Sequence, residues 1–383
     1  MNRRKPKGYT VRLVIEIAVI AVVALLMIVA AVALFFKPWL DDEVPWTEPP
    51  VETTADPGVV DPPKPPEQDK YVRDQNVTNF LVLGRDRVAN LTDAIMLVQF
   101  NTKEHSVNIM QIPRDTYAYH ESSYHKINGL YSHYMVQNNY NVKKSMENVV
   151  EYVQNNFNVK IDYYVLMNLD AFVQIVDLMG GVEIDVPEDM EYNDPYQNLY
   201  INLKKGKQVL DGEHAEQFVR FRSGWASADA GRVDAQKLFL AAFASQFKEK
   251  ITVGKIDDIV NQVFKNLTTN MAVTDIVYYA KEALSLDFTK TTFVSVPYGD
   301  ARENVDSGQW YVILNRAATL EAINGYFNVY NKAITDSIFD ASRVLTNKDK
   351  EHINSFYVSS GYTANITYMD DVINAGINIP TKN

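Results

Sequence analysis

Hydrophobic patterning divides this 383-residue chain into three regimes. The first is unbroken: from Ile17 to Phe36 the run IAVIAVVALLMIVAAVALFF carries no charged or polar side chain. About 20 such residues in a helix cross the hydrocarbon core of a bilayer, so residues 13–36 are expected to form one transmembrane helix. The second regime, residues 37–70, has no periodicity; it holds nine of the fifteen prolines together with nine acidic residues. Such a composition buries no core and behaves as an extended, self-repelling spacer.

The third regime begins near Val77, where TNFLVLG, AIMLVQFN and SVNIMQIP read as three β-strands separated by polar turns. Helical periodicity follows in VKKSMENVVEYVQNNF, then a strand, YYVLMN, and a short helix, DAFVQIVDLMG. Gly180 and Gly181 stand where that helix ends, as a C-cap requires. RVDAQKLFLAAFASQF, IDDIVNQVFKNL and VTDIVYYAKEAL read as three further helices before the strand TTFVSVPY. The first of them is apolar around most of its circumference, so it is buried or lines an apolar cavity. Strands alternating with helices predict a layered α/β domain over residues 71–298. Residues 299–383 form an extension with one helical patch, and either complete the sheet or make a small appendage.

Charge orients these regimes. Arg3, Arg4, Lys5, Lys7 and Arg12 precede the apolar run, and Asp41, Asp42 and Glu43 follow it. The positive-inside rule therefore places residues 1–12 in the cytoplasm and the domain outside the cell. A cleavable signal peptide competes, since VAAVA offers small residues, but the apolar run exceeds a usual signal core. The formal charge of -11 argues against nucleic acid as a partner. With no cysteine, disulfides, iron–sulfur clusters and thiolate metal sites are excluded.

Candidate chemistry gathers at element ends. Asp86 in LGRD and Asp93 in NLTDA flank a short loop, and two such carboxylates converge on a hard cation such as Mg²⁺ or act simply as turn formers. IPRDTY supplies Arg114 and Asp115, HKIN supplies Lys126 and Asn128, and FVRFRSGWASADAGR supplies Arg220, Arg222, Asp229 and Arg232. Guanidinium forks match phosphate oxygens, although arginine–aspartate clusters also form surface salt bridges. Arg220 and Arg222, separated by one aromatic residue, share a side only in extended backbone, which favours a phosphate clamp. The histidines, including His120, His125, His133 and His214, lack a zinc-like spacing.

The order FLVLGRD…TDAIMLV, IPRDTY, KIN, YYVLMNLDAFVQIVDLMGGVEIDVPEDM, LKKGKQVLDGEHAEQFVRFR and AGRVDAQK closely resembles the LytR-CpsA-Psr family of membrane-anchored cell-wall ligases. The resemblance runs from about Asn79 to Phe247. It implies an α/β/α sandwich around a mixed β-sheet, with an apolar pocket for a prenyl chain. It also implies a phosphotransferase that moves a glycopolymer, of wall teichoic acid or capsular polysaccharide type, from an undecaprenyl-pyrophosphate carrier to peptidoglycan. By that resemblance Asp86 and Asp93 hold Mg²⁺, with Mn²⁺ as substitute. Arg114, Arg220, Arg222 and Arg232 hold the pyrophosphate or its surroundings, aided by Lys126 and Gln236, and Asp115 or Asp229 accepts the acceptor's proton. Two family arginines are replaced, by Leu91 and Ala235. A prenyl-pyrophosphate hydrolase and a non-catalytic lipid-pyrophosphate receptor are the alternatives.

Overall fold

The computed structural model describes residues 71–85, 91–118, 125–194, 199–221, 224–225, 229–304, 309–335, 364–377 and 379. The expected membrane span, the proline-rich spacer, Asp86 and Arg222 lie outside these residues. No helix among the described residues is long and apolar enough to cross a membrane.

Three strands open the domain, β1 (Val77–Arg85), β2 (Thr92–Asn101) and β3 (Ser106–Ile112), each antiparallel to the one before. Helices α1 (Leu130–Gln137) and α2 (Val142–Phe157) lead to β4 (Tyr163–Met167), which runs parallel to β1. After α3 (Leu169–Leu178), β5 (Val182–Val186) pairs with β8 (Gly206–Leu210), and between them β6 (Met190–Asp194) pairs with β7 (Leu199–Leu203). Helices α4 (Gly212–Arg220), α5 (Asp229–Lys250) and α6 (Val253–Val263) precede the short β9 (Leu267–Thr269). Then come α7 (Val273–Ala283), β10 (Thr292–Ser295), the hairpin of β11 (Tyr298–Asn304) and β12 (Gln309–Leu314), α8 (Arg316–Tyr326), β13 (Ile366–Tyr368) and α9 (Met369–Ala375).

Local chemistry sets several of these boundaries. Asn141, Asn168, Asp211 and Asn315 each accept a hydrogen bond from a backbone N–H in the first turn of α2, α3, α4 and α8, satisfying donors that a helix start leaves open. Gly181 ends the turn after α3 at φ +85°, and a Cβ there would stand 2.9 Å from the Leu210 carbonyl oxygen. The expected glycine cap is therefore needed for both conformation and space.

Seven strands form one mixed sheet in the order β13-β10-β3-β2-β1-β4-β9. Strands β1, β3, β4 and β10 run the same way, so their carboxyl ends share one edge. Side chains alternate between faces as the strand period demands. Phe80, Val82, Met96, Val98 and Val165 meet α3 to α7 and α9 on one face, while Leu81, Leu83, Ile95, Leu97 and Leu166 meet α1, α2 and α8 on the other. This is the expected α/β/α sandwich. Helix α5 is buried rather than cavity-lining along its phenylalanines: Phe239, Phe243 and Phe247 are fully enclosed, each contributing roughly 1.5–3 kcal/mol of burial.

The segment beyond Tyr298 is built into this architecture. β13 adds an antiparallel strand to the sheet beside β10, and Val312 of β12 exchanges backbone hydrogen bonds with Asp115 and Tyr117 at 2.9 Å each. A row of amides crosses the sheet beneath the end of α8. Asn79 donates to the Phe327 carbonyl at 2.7 Å and Asn108 to that of Tyr326 at 2.9 Å, while Gln99 and Thr292 continue the row at 3.2 and 2.7 Å. Carbonyls at a helix end that its own ladder leaves open find donors there.

Candidate active site

The shared carboxyl edge of β1, β3, β4 and β10 is where ligands bind in open α/β sheets. Most of the residues singled out in the sequence lie there. Gly84 pairs with Ala94 and Arg85 with Thr92, so Asp93 is the additional residue of a β-bulge. Bulges re-aim side chains and recur beside active sites. Asp86 follows β1 directly but lies outside the described residues, as does the side chain of Asp93.

One strand spacing or two away, the segment after β3 is held by the HKIN segment. Lys126 Nζ lies 2.5 Å from one Asp115 carboxylate oxygen and Arg114 Nε 3.7 Å from the other. The Asn128 N–H donates to the Arg114 carbonyl at 3.3 Å, and the Thr92 hydroxyl donates to the Asn128 carbonyl at 3.2 Å. Asp115 thus binds two cations together, and buried Asn128 ties them to the strand that carries Asp93. Tyr311 of β12 flanks this cluster, with Lys126 Nζ 5.9 Å from its ring centre.

On the other face of the sheet, α5 delivers its first turns to the same edge. Gln111 at the end of β3 donates to Gln236 Oε1 at 2.9 Å, and Gln236 donates from Nε2 to the Val219 carbonyl at 3.2 Å. Gln236 is wholly buried, and Arg232, one turn earlier, is 2% exposed. Arg220 closes α4 beside Val219 and pairs with Glu216 at 2.8 Å, its side chain 6% exposed. Gln236 therefore joins strand β3 to both arginine-bearing helices. Asp229 is the first residue of α5; its side chain, like Arg222, lies outside what is described.

One expectation needs correcting. The one-sided display of Arg220 and Arg222 required extended backbone, yet Arg220 is helical and the chain first extends at Phe221 (φ -63°, ψ 131°). The Glu216–Arg220 pair at i,i+4 favours carrying the helix this far. Trp225, fully buried, then donates from Nε1 to the Phe221 carbonyl at 2.9 Å. Of the two positions where arginine was expected, Ala235 is wholly enclosed by apolar neighbours.

Sequence reasoning missed Gln111, Glu216 and Arg85. Gln111 carried the clearest signal, a polar residue at the end of an otherwise apolar strand. Arg85 faces Tyr131, whose hydroxyl is pushed above its ordinary ionisation range by burial, against the opposing pull of the guanidinium.

Fold and site together define an α/β/α-sandwich protein with several guanidinium groups gathered near the carboxyl ends of its strands. The chain belongs to the LytR_cpsA_psr family, whose sequence pattern matches residues 54–325. It is 31% identical over 189 residues to "Polyisoprenyl-teichoic acid--peptidoglycan teichoic acid transferase TagV" of Bacillus subtilis (strain 168), covering 48% of this chain and 46% of that protein. It is 25% identical over 270 residues to the TagU transferase of the same descriptive name from Oceanobacillus iheyensis, covering 67% of this chain and 77% of the relative. The crystal structure of B. subtilis TagV superposes with a TM-score of 0.53 at 25% identity, covering 65% of this chain and 95% of that one.

Proposed function

We propose that this protein is a phosphotransferase that moves a glycopolymer from a polyprenyl-pyrophosphate carrier onto peptidoglycan through a phosphodiester bond. The observation that carries the reading is the pair of buried guanidinium groups, Arg220 and Arg232, fixed through Gln236 at the sheet's carboxyl edge. Buried guanidinium is costly without anionic company. Glu216 is one such partner of Arg220, and the planar forks of both arginines match pyrophosphate oxygens. The start of α5, at the same edge, adds the partial positive charge of a helix N-terminus. The printed names of the TagV and TagU relatives describe transfer of a teichoic acid to peptidoglycan.

In the proposed reaction an acceptor hydroxyl oxygen attacks the sugar-proximal phosphorus, the bridging P–O bond breaks, and prenyl monophosphate leaves. Arg220, Arg232 and Arg114 would stabilise charge spreading over the phosphoryl and leaving oxygens. Asp115, held by Lys126 and Arg114, orients those cations, which leaves Asp229 as the candidate acceptor of the hydroxyl proton. The two hard carboxylates of Asp86 and Asp93, one on a bulge at this edge, are the donor set that suits Mg²⁺. When bound there, Mg²⁺ would neutralise phosphate charge. A membrane helix at residues 13–36 would hold the domain outside the cell beside its lipid donor.

The test is the full chain in lipid nanodiscs with a synthetic prenyl-pyrophosphoryl saccharide and peptidoglycan fragments, followed by mass spectrometry. Saccharide phosphate joined to the fragments supports transfer. Free saccharide phosphate alone indicates a hydrolase. Bound carrier without turnover indicates a receptor, the outcome that Ala235 and Leu91 would then explain.

A further inference from the structure

A cavity of about 210 Å³ opens at the carboxyl ends of β1 and β4 and the start of β9, lined in part by Arg85, Tyr131, Met167, Asn168, Asn266 and Thr268. We infer that it seats one sugar ring of the acceptor glycan. This assignment rests on the transferase reading and adds to it where the second substrate lies.

Position carries the first half of the argument. In the strand order β3-β2-β1-β4-β9, the bulge at Asp93 stands between the Gln111–Gln236 bridge on one side and this cavity on the other. Tyr131, Val142 and Leu166 of its wall belong to the face covered by α1 and α2, and Met167 and Leu267 to the other face at the sheet end; Arg220 and Arg232 come from that second helical layer. Phosphoryl transfer needs attacking and leaving oxygens roughly in line. A leaving prenyl phosphate held by the arginines therefore calls for an acceptor on the β1–β4 side. The cavity lies about two strand spacings, roughly 10 Å, from β2, a distance that a ring and its projecting hydroxyl can bridge.

Lining chemistry carries the second half. Among the described residues the cavity wall contains no carboxylate. Asn168 spends its Oδ1 on the Ala171 N–H, and Asn266 spends its Nδ2 on Gln174. Among the described residues, that leaves the Asn168 amide N–H₂ as donor, Asn266 Oδ1 as acceptor and the Thr268 hydroxyl as either. These groups are complementary to sugar hydroxyls. The volume falls below the roughly 300–1,000 Å³ of whole small-molecule sites, so the cavity takes one ring of a longer chain.

The experiment titrates a soluble, uncross-linked peptidoglycan disaccharide fragment into the full chain, wild type, Thr268→Trp and Asn266→Ala, and measures transfer kinetics alongside. Thr268→Trp, which fills the cavity, should weaken fragment binding at least tenfold and raise the acceptor KM equally, with the affinity for the prenyl-pyrophosphate donor unchanged. Asn266→Ala, a milder change, should weaken fragment binding about threefold. Unchanged fragment binding in both variants, or donor affinity falling in step, would overturn the assignment. So would a wild-type chain that does not bind the fragment. Wild-type binding lost in Thr268→Trp, but with no transfer from any carrier, would instead sink the transferase reading and leave the sugar site standing.

Discussion

Gln111 and Gln236, 125 residues apart in sequence, share a hydrogen bond of 2.9 Å that fastens helix α5 to the end of strand β3. Arg232 sits one turn from that bond, and the Val219 carbonyl on the other side of Gln236 adjoins Arg220. The amide pair is thus the brace that sets both guanidinium groups against the carboxyl edge.

Removing the brace should therefore harm activity beyond its effect on stability. Gln236→Leu strands the Gln111 amide and the Val219 carbonyl, at a cost of about 1–3 kcal/mol, read as a lower urea midpoint. Transfer measured well below that midpoint should fall at least tenfold. Equal transfer in a fully folded variant would show that Gln236 serves packing alone.

Arg220→Lys keeps a positive charge near Glu216 but loses the planar fork. Its melting temperature should stay close to wild type while the transfer rate falls by about 10²–10³, the scale of one lost transition-state donor. Arg220→Ala should also destabilise by roughly 3 kcal/mol, because the largely buried Glu216 carboxylate loses a charged partner.

Chelation with EDTA should stop transfer, and Mg²⁺ or Mn²⁺ should restore it. Asp93→Asn should lower the rate at least about a hundredfold at saturating metal with the fold intact by circular dichroism. Full activity in EDTA would remove the metal from the account.

At the opposite, amino end of the sheet, effects should be on stability only. Tyr279 donates to Thr78 at 2.6 Å, and burial pushes its ionisation well above the usual tyrosine range. Burial likewise pushes Tyr163 to about 12. Tyrosines in the unfolded chain ionise near about 10, so above that pH the folded state binds more protons and stability falls as pH rises. Chemical denaturation should show this loss from pH 10 toward 12. Tyr279→Phe should make the alkaline loss shallower, cost about 1 kcal/mol at pH 7, and leave transfer unchanged.

What the sequence made legible follows from range. Short apolar, β-rich runs bounded by polar turns identified β1 to β4, and the all-round apolar surface of α5 announced its burial, because these signals lie within one element. The motif residues at strand ends were legible for the same reason: a strand's carboxyl end is marked by where its apolar run stops. The Gln111–Gln236 brace, the amide row under α8 and the docking of β13 on β10 join distant segments, and no local pattern reports them. The extended reading at Arg220 failed because a one-residue spacing says nothing of where the preceding helix ends, which the Glu216 pair and buried Trp225 decide.

The most direct test of the central claim is the product formed when the full chain, with Mg²⁺, meets a prenyl-pyrophosphoryl saccharide and peptidoglycan fragments. The account predicts prenyl monophosphate released in a one-to-one ratio with saccharide–phosphate–peptidoglycan conjugate, and neither product from Arg220→Ala. Prenyl monophosphate without conjugate, or carrier bound and never consumed, would contradict it.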